Sequence, residues 1–166
     1  LRALDVQFHG AVQTIYSTAE SIERAVTDAD LVIGAVLVPG AAAPKLVTEA
    51  MIKRMRQGSV VVDIAIDQGG CFATSRPTTH ADPVYTLHGV THYCVTNMPG
   101  AVARSSAQAL NNATLPYVKA LADKGWKDAL AADGGLRNGL NVIEGRVVHA
   151  AVARDLGLPV PAPVKA

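Results

Sequence analysis

Leu31-Val32-Ile33-Gly34-Ala35-Val36 and Ser59-Val60-Val61-Val62-Asp63-Ile64 decide the fold class. Each is a nearly continuous apolar run, rich in β-branched residues and too short for a typical helix. Such runs read as strands buried on both faces, the mark of a parallel sheet. Between them, Val38-Pro39-Gly40 breaks the first strand. Residues 44–55 then read as a helix, with Lys53, Arg54 and Arg56 favourably placed near its carboxyl end, and Gly58 stops it.

The pattern extends in both directions. Residues 1–9 carry Leu1, Leu4 and Phe8 at helical spacing, and Gly10 ends that helix. Residues 12–16 read as a strand. Ser17 or Thr18 caps a helix running through residue 26, and Thr27-Asp28-Ala29-Asp30 turns the chain. Downstream, residues 67–83 form a long polar loop containing Gly69, Gly70, Pro77 and Pro83. Loops of that length inside compact domains are usually functional. Residues 90–95 read as another strand, ending at Asn97-Met98-Pro99-Gly100. Residues 11–98 thus alternate strand with helix, which predicts an α/β fold with an open parallel sheet and right-handed crossovers. The alternation then stops. Residues 102–121 read as one long helix, with Pro116 a place for a kink. Lys124-Gly125-Trp126 breaks it before a shorter helix, and Asp133-Gly134-Gly135 turns. A strand or loop around residues 142–143 precedes a last helix through residue 156 and a proline-rich tail.

Composition excludes several functions. The 166 residues are 49% hydrophobic and 17% charged, which suits a folded core and not a disordered tail. The net charge is +1, with no long basic run, so nucleic acid and anionic membrane are poor partners. The apolar stretches are too short to span a membrane. Cys71 and Cys94 fit neither a CxxC pair nor a disulfide-dense scaffold. They read as free thiols in a reducing cytoplasm. The first residues lack a signal-peptide core and an initiator Met, and they open in mid-helix, so the chain reads as part of a longer polypeptide.

Ligands of open parallel sheets bind beyond the carboxyl ends of the strands. Three such ends stand out: residues 34–40, 63–70 and 95–100. Apolar strand ends suit a nicotinamide and its ribose, because the flat ring packs on aliphatic side chains. Asp67 sits where such a ring would lie, and a carboxylate there can orient water or exchange protons with a carbinolamine. Asp67 before Gln68-Gly69-Gly70 is equally a turn former. Asp63, inside a strand, reads as a structural carboxylate. Arg76 serves equally an anionic group or a neighbouring loop. His80, His88 and His92 lack metal-ligand spacing, and no metal site is expected.

Three ordered stretches carry a family resemblance. They are Asp30 to Gly40 followed by Ala43-Pro44-Lys45-Leu46-Val47; Val62 to Phe72 with Ser75-Arg76-Pro77-Thr78-Thr79; and Tyr93 to Pro99 followed by Leu110-Asn111-Asn112-Ala113-Thr114-Leu115-Pro116-Tyr117. Together they resemble the alanine dehydrogenase and transhydrogenase nicotinamide-binding family, in its carboxy-terminal part. The Ile66-Asp67-Gln68 sequence and the Cys-Phe…Arg-Pro-Thr-Thr continuation favour the dehydrogenases over the transhydrogenase component. The resemblance implies a Rossmann-like doubly wound sheet, incomplete here. Residues 1–98 would complete an NAD-binding domain, and residues 99–166 would supply a linker helix and a segment returning to a separate substrate domain.

It also implies NAD-dependent, reversible oxidation of L-alanine to pyruvate and ammonium, with NADH formed. Asp67 is then the catalytic aspartate. Val36, Leu37, Ile64, Ala65, Ile66 and Asp67 line the cofactor, Arg76 contacts it, Val95, Thr96, Asn97 and Met98 form a loop on the nicotinamide side, and Ser17 lies near the adenosine. A homohexamer is the expected assembly. The family's Gly-rich pyrophosphate turn has no counterpart here. Nor do the acidic ribose residue, the substrate-carboxylate arginine, the catalytic lysine and the catalytic histidine. All of these fall to an amino-terminal half, so this chain alone is expected to be inactive. The two other readings are the transhydrogenase component and a non-catalytic half-domain that pairs with a separate amino-terminal half.

Overall fold

The structure, a computed structural model, describes residues 1–160. The chain divides into two compact units. The first takes Leu1–Leu37 and Ala43–Thr96, and the second takes Val38–Ala42 and the described chain from Asn97.

The first unit is an α/β layer. Helices α1 (Arg2–Phe8) and α2 (Ala19–Asp28) precede strand β1 (Leu31–Gly34). Helix α3 (Glu49–Arg54), strand β2 (Val60–Asp63) and the hairpin of β3 (Val84–Leu87) and β4 (Val90–Tyr93) follow. The sheet order is β1-β2-β4-β3. β1 runs parallel to β2 with Leu31 opposite Val60 and Gly34 opposite Asp63. β2 runs parallel to β4 with Val61 opposite His92. β3 is antiparallel to β4, with Tyr85 opposite His92.

Strand alternation explains where the core lies. Val61, Asp63, Val90 and His92 project to one face and are fully buried. Val26 of α2 and Met51 and Ile52 of α3 pack into the same core, together with Val47 and Phe72. The opposite face carries Leu31 and Ile33, which are 54% and 57% exposed. β1 is therefore an edge strand buried on one face, not on both as its unbroken apolar run predicts. No helix of the described residues covers its outer face.

Other elements depart from the sequence pattern for local reasons. Residues 12–16 form no strand, because no neighbouring strand among the described residues offers them a hydrogen-bonding ladder; Ile15 and Tyr16 stay exposed. The helix expected over residues 44–55 starts only at Glu49, where the Thr48 side chain caps it. Residues 46 and 47 are committed elsewhere: both N–H groups donate to the Cys71 carbonyl, and Val47 accepts from the Ala73 N–H. The 67–83 loop is less solvated than its composition suggests, with Cys71, Phe72 and Thr78 buried. β3 is an addition to the expected sheet. It is joined to β4 by His88 and Gly89 at φ 54° and 78°, the two positive φ values of a tight hairpin turn.

The second unit is mostly helical. A 3-10 turn, Met98–Val102, leads into helix α4 (Ala103–Ala132). α4 runs through Pro116 and breaks at Gly125, whose φ of 73° and ψ of 162° only glycine adopts readily. Helix α5 (Gly134–Asn138) is capped by Asp133, which accepts the Leu136 N–H at 2.9 Å. This is a helix where a simple turn is expected. The short hairpin of β5 (Val142–Ile143) and β6 (Arg146–Val147) precedes helix α6 (Ala150–Asp155). Within this unit the Ala42 N–H donates to Asp155 at 3.3 Å. The proline-rich tail lies from residue 161 onward outside the described residues. Among the described residues no helix is long and apolar enough to cross a membrane.

Candidate functional site

The carboxyl ends of β1 and β2 lie side by side because the two strands are parallel and in register. β2 passes directly into a 3-10 turn, Ile64–Gln68, closed by Gly69 at φ 88°. The turn folds back over the strand end. Ala35, Val36 and Leu37 from β1, with Ile64, Ala65, Asp67 and Gln68 from the turn, line a hollow of about 270 Å³. Its walls are aliphatic apart from Asp67 and Gln68. Asp67 is exposed, as is Ile64, so both are presented to whatever enters the hollow. Ala65 and Ile66 are buried beneath them.

Asp63 lies under this turn and is wholly buried. Its carboxylate accepts the N–H groups of Cys71 at 2.9 Å and Phe72 at 3.3 Å, and the Ser75 hydroxyl at 2.5 Å. A buried carboxylate satisfied in this way is structural. The Cys71 thiol also points at Asp63, 3.6 Å away. Burial first, and then the Asp63 charge, push that thiol up to about 11. Cys71 stays protonated and does not act as a nucleophile. Close packing extends to Gly34 at the end of β1, where a Cβ would lie 2.3 Å from the Cys71 Sγ.

The residues singled out in the sequence divide into groups. Val36, Leu37, Ile64, Ala65 and Asp67 meet in the hollow. Ile66 and Val95 are buried and do not line it. Ser17 precedes the α2 cap, which is Thr18, and lines no part of the hollow. Thr96 closes the first unit, its N–H donating to the Thr78 carbonyl at 3.2 Å. Asn97 and Met98 belong to the second unit. Arg76 stacks its guanidinium 4.0 Å from the centre of the Tyr85 ring, and the Tyr85 hydroxyl accepts the Arg76 N–H at 3.0 Å. Burial pushes the Tyr85 hydroxyl up to about 12, so the ring stays neutral beneath the cation.

Lys45 is a participant to which the sequence reading gave no role. Its ammonium donates to the carbonyls of Gly69 and Phe72. Its signal was its place in the quoted motif, directly after Pro44; a lysine that grips backbone carbonyls has no spacing rule by which to find it.

A larger cavity, about 630 Å³, lies in the second unit between Trp126, Leu130, Leu140, Ile143 and Val148, with Arg137 and His149 at its edge. Its lining carries no carboxylate. The smaller hollow is the better candidate of the two, because it sits at parallel strand ends and combines an aliphatic floor with an acid–base group. No group of three metal-ligating side chains comes together among the described residues.

Known proteins match this arrangement. An alanine dehydrogenase from Halomonas elongata is 61% identical over 158 residues, which are 95% of this chain and 43% of that relative. A solved L-alanine dehydrogenase superposes with a TM-score of 0.78 at 51% identity, over 94% of this chain and 43% of that one. A transhydrogenase structure from Sinorhizobium meliloti superposes less well, with a TM-score of 0.56 at 31% identity over 64% of this chain and 30% of that one. This chain therefore spans less than half the length of the relatives it matches. The family model for the alanine dehydrogenase/PNT C-terminal domain matches residues 1–150. With nine-tenths of its length matched by that model, and with the strand-end hollow in place, the chain belongs to the alanine dehydrogenase/PNT C-terminal domain family.

Proposed function

We propose that this chain is the carboxy-terminal part of an NAD-dependent L-alanine dehydrogenase and contributes the nicotinamide side of its active site. The observation that carries the reading is the aliphatic hollow at the ends of β1 and β2 with a single carboxylate, Asp67, at its rim. NAD, when bound, supplies the hydride acceptor for oxidation of L-alanine to pyruvate and ammonium. Val36, Leu37, Ile64 and Ala65 offer a flat ring a surface from which water is displaced. The chemistry of the hollow fits such a ring, since aliphatic side chains face it and no buried charge opposes it.

Asp67 is the catalytic aspartate in this reading. Its carboxylate orients the water that attacks the imine carbon, and takes up and returns the proton of that step. Residues 95–98 contact the cofactor on its nicotinamide side, Arg76 contacts it as well, and Ser17 lies near its adenosine end. Residues 1–98 complete the NAD-binding domain, and residues 99–166 link it to a substrate domain and return to it. An amino-terminal half supplies the pyrophosphate turn, the ribose carboxylate and the substrate clamps. The family resemblance supports a cytoplasmic homohexamer.

The chain alone should not turn over. NADH fluorescence with L-alanine and NAD should rise for a full-length enzyme carrying this chain, and stay at the blank rate for the isolated 166-residue chain. Turnover by the isolated chain near the full-length rate would overturn the division of labour. Hydride transfer between NADH and an NADP analogue, with no dependence on alanine, would assign the transhydrogenase function instead.

A further inference from the structure

We propose that Lys45 and Asp63 are positioning residues that clamp the loop following β2 from opposite sides and so fix Asp67 at the strand-end hollow. The inference rests on the reading of Asp67 given above.

The loop is gripped by complementary chemistry. Asp63, an acceptor, takes the N–H groups of Cys71 and Phe72. Lys45, a donor, takes the carbonyls of Gly69 and Phe72. Phe72 is thus held at both its N–H and its carbonyl. The backbone closes the loop further. The Gly70 N–H donates to the Ala65 carbonyl at 2.9 Å, and the Ala43 N–H donates to the Gln68 carbonyl at 2.8 Å. The chain passes so near the Asp63 carboxylate that a Cβ on Gly70 would lie 2.6 Å from Oδ2.

Asp67 itself has no side-chain hydrogen bond among the described residues. Its place over the hollow is therefore set by the backbone that Lys45 and Asp63 hold. Side chains that pre-organise a catalytic group act on rate more than on ground-state affinity, since a small misplacement is felt mainly in the transition state. The two clamps differ in burial. Asp63 is sealed in the core, whereas Lys45 is exposed, so Lys45 can be replaced without opening a cavity.

The test uses a full-length enzyme carrying this chain, with steady-state kinetics and amide hydrogen exchange read by peptide mass spectrometry. Lys45→Met should lower kcat for L-alanine about tenfold or more. It should leave KM for NAD and the thermal midpoint close to wild type, and speed exchange in residues 64–72 but not in β2 or β4. Lys45→Arg, which keeps the donors, should restore most of the rate and the protection. Asp63→Ala, which removes the oxygen that accepts the Cys71 and Phe72 N–H groups, should give the same local exchange signature if it folds. Wild-type kcat and wild-type exchange in Lys45→Met would overturn the clamp. So would a loss of rate that follows global stability with no local change in exchange. If the unmodified enzyme shows no alanine-dependent turnover, the functional reading fails instead, and the exchange data alone decide whether the clamp exists.

Discussion

Asp63 and Asp67 sit on one short segment and differ in almost every physical respect. Asp63 is buried with four hydrogen bonds from the loop it holds, and Asp67 stands exposed at the rim of the hollow. The structural role of Asp63 was legible from its position inside a strand, because a carboxylate there must be satisfied. The even choice for Asp67 between turn former and acid–base group could not be resolved by spacing. Asp67 does lie in a tight turn, and only the neighbouring strand end turns that place into the wall of a cavity. Lys45 and Tyr85 were not legible, since their partners are backbone carbonyls and a stacked arginine that no sequence pattern pairs with them.

His92 gives a pH prediction at this scale. It is fully buried, stacked on Tyr85 with ring centres 4.8 Å apart. Nδ1 lies 3.0 Å from the Val90 carbonyl, so it carries the proton, and Nε2 accepts from the Thr74 hydroxyl at 2.8 Å. Burial is the main cause that holds its pKa below the ordinary histidine value. A depressed histidine pKa stabilises the fold above the unfolded pKa, near 6.5, and that stability is lost as pH falls below it, because the unfolded chain then binds the proton more readily. Urea midpoints should drop between about pH 7.5 and about pH 5.5, and His92→Gln should show a smaller drop. Equal drops in both proteins would remove His92 as a source of acid sensitivity.

Among the elements, β1, β2 and β4 were located because short stretches rich in β-branched residues and bounded by turn residues read as strands, whether one face or both is covered. That reading missed β3, whose exposed Val84, Thr86 and Leu87 show no buried apolar run. It overstated residues 12–16 and 44–47, whose conformation depends on a partner strand that is lacking in one case and present out of sequence in the other. Helix α4 was legible in position and in its break at Gly125. Apolar side chains in its middle stay exposed, with Leu110, Val118 and Tyr117 at 65%, 57% and 47%, while Ala129 and Leu130 near its end are buried. A proline inside a helix removes one hydrogen bond and costs about 3 kcal/mol. Pro116→Ala should therefore slow amide exchange in the middle of α4 by roughly tenfold or more. Unchanged exchange in that stretch would mean that the helix opens elsewhere.

At the scale of the whole molecule, the four-stranded sheet, parallel except for its edge strand β3, has one covered face and one that leaves Leu31 and Ile33 more than half exposed. A doubly wound sheet covers both faces. Leu31 and Ile33 thus form an uncovered apolar face on a chain that spans 43% of the Halomonas elongata relative it matches. The class of fold was therefore readable from the sequence, while the extent of its core was not, because an unbroken apolar run does not tell a strand covered on both faces from an edge strand covered on one. The most direct measurement is kcat for L-alanine in a full-length enzyme carrying Asp67→Asn, a change that keeps the shape of the hollow and removes the carboxylate. If Asp67 is the catalytic carboxylate, kcat falls at least about 100-fold, with NADH still bound as judged by its fluorescence. An Asp67→Asn enzyme that turns over at the wild-type rate would contradict that role.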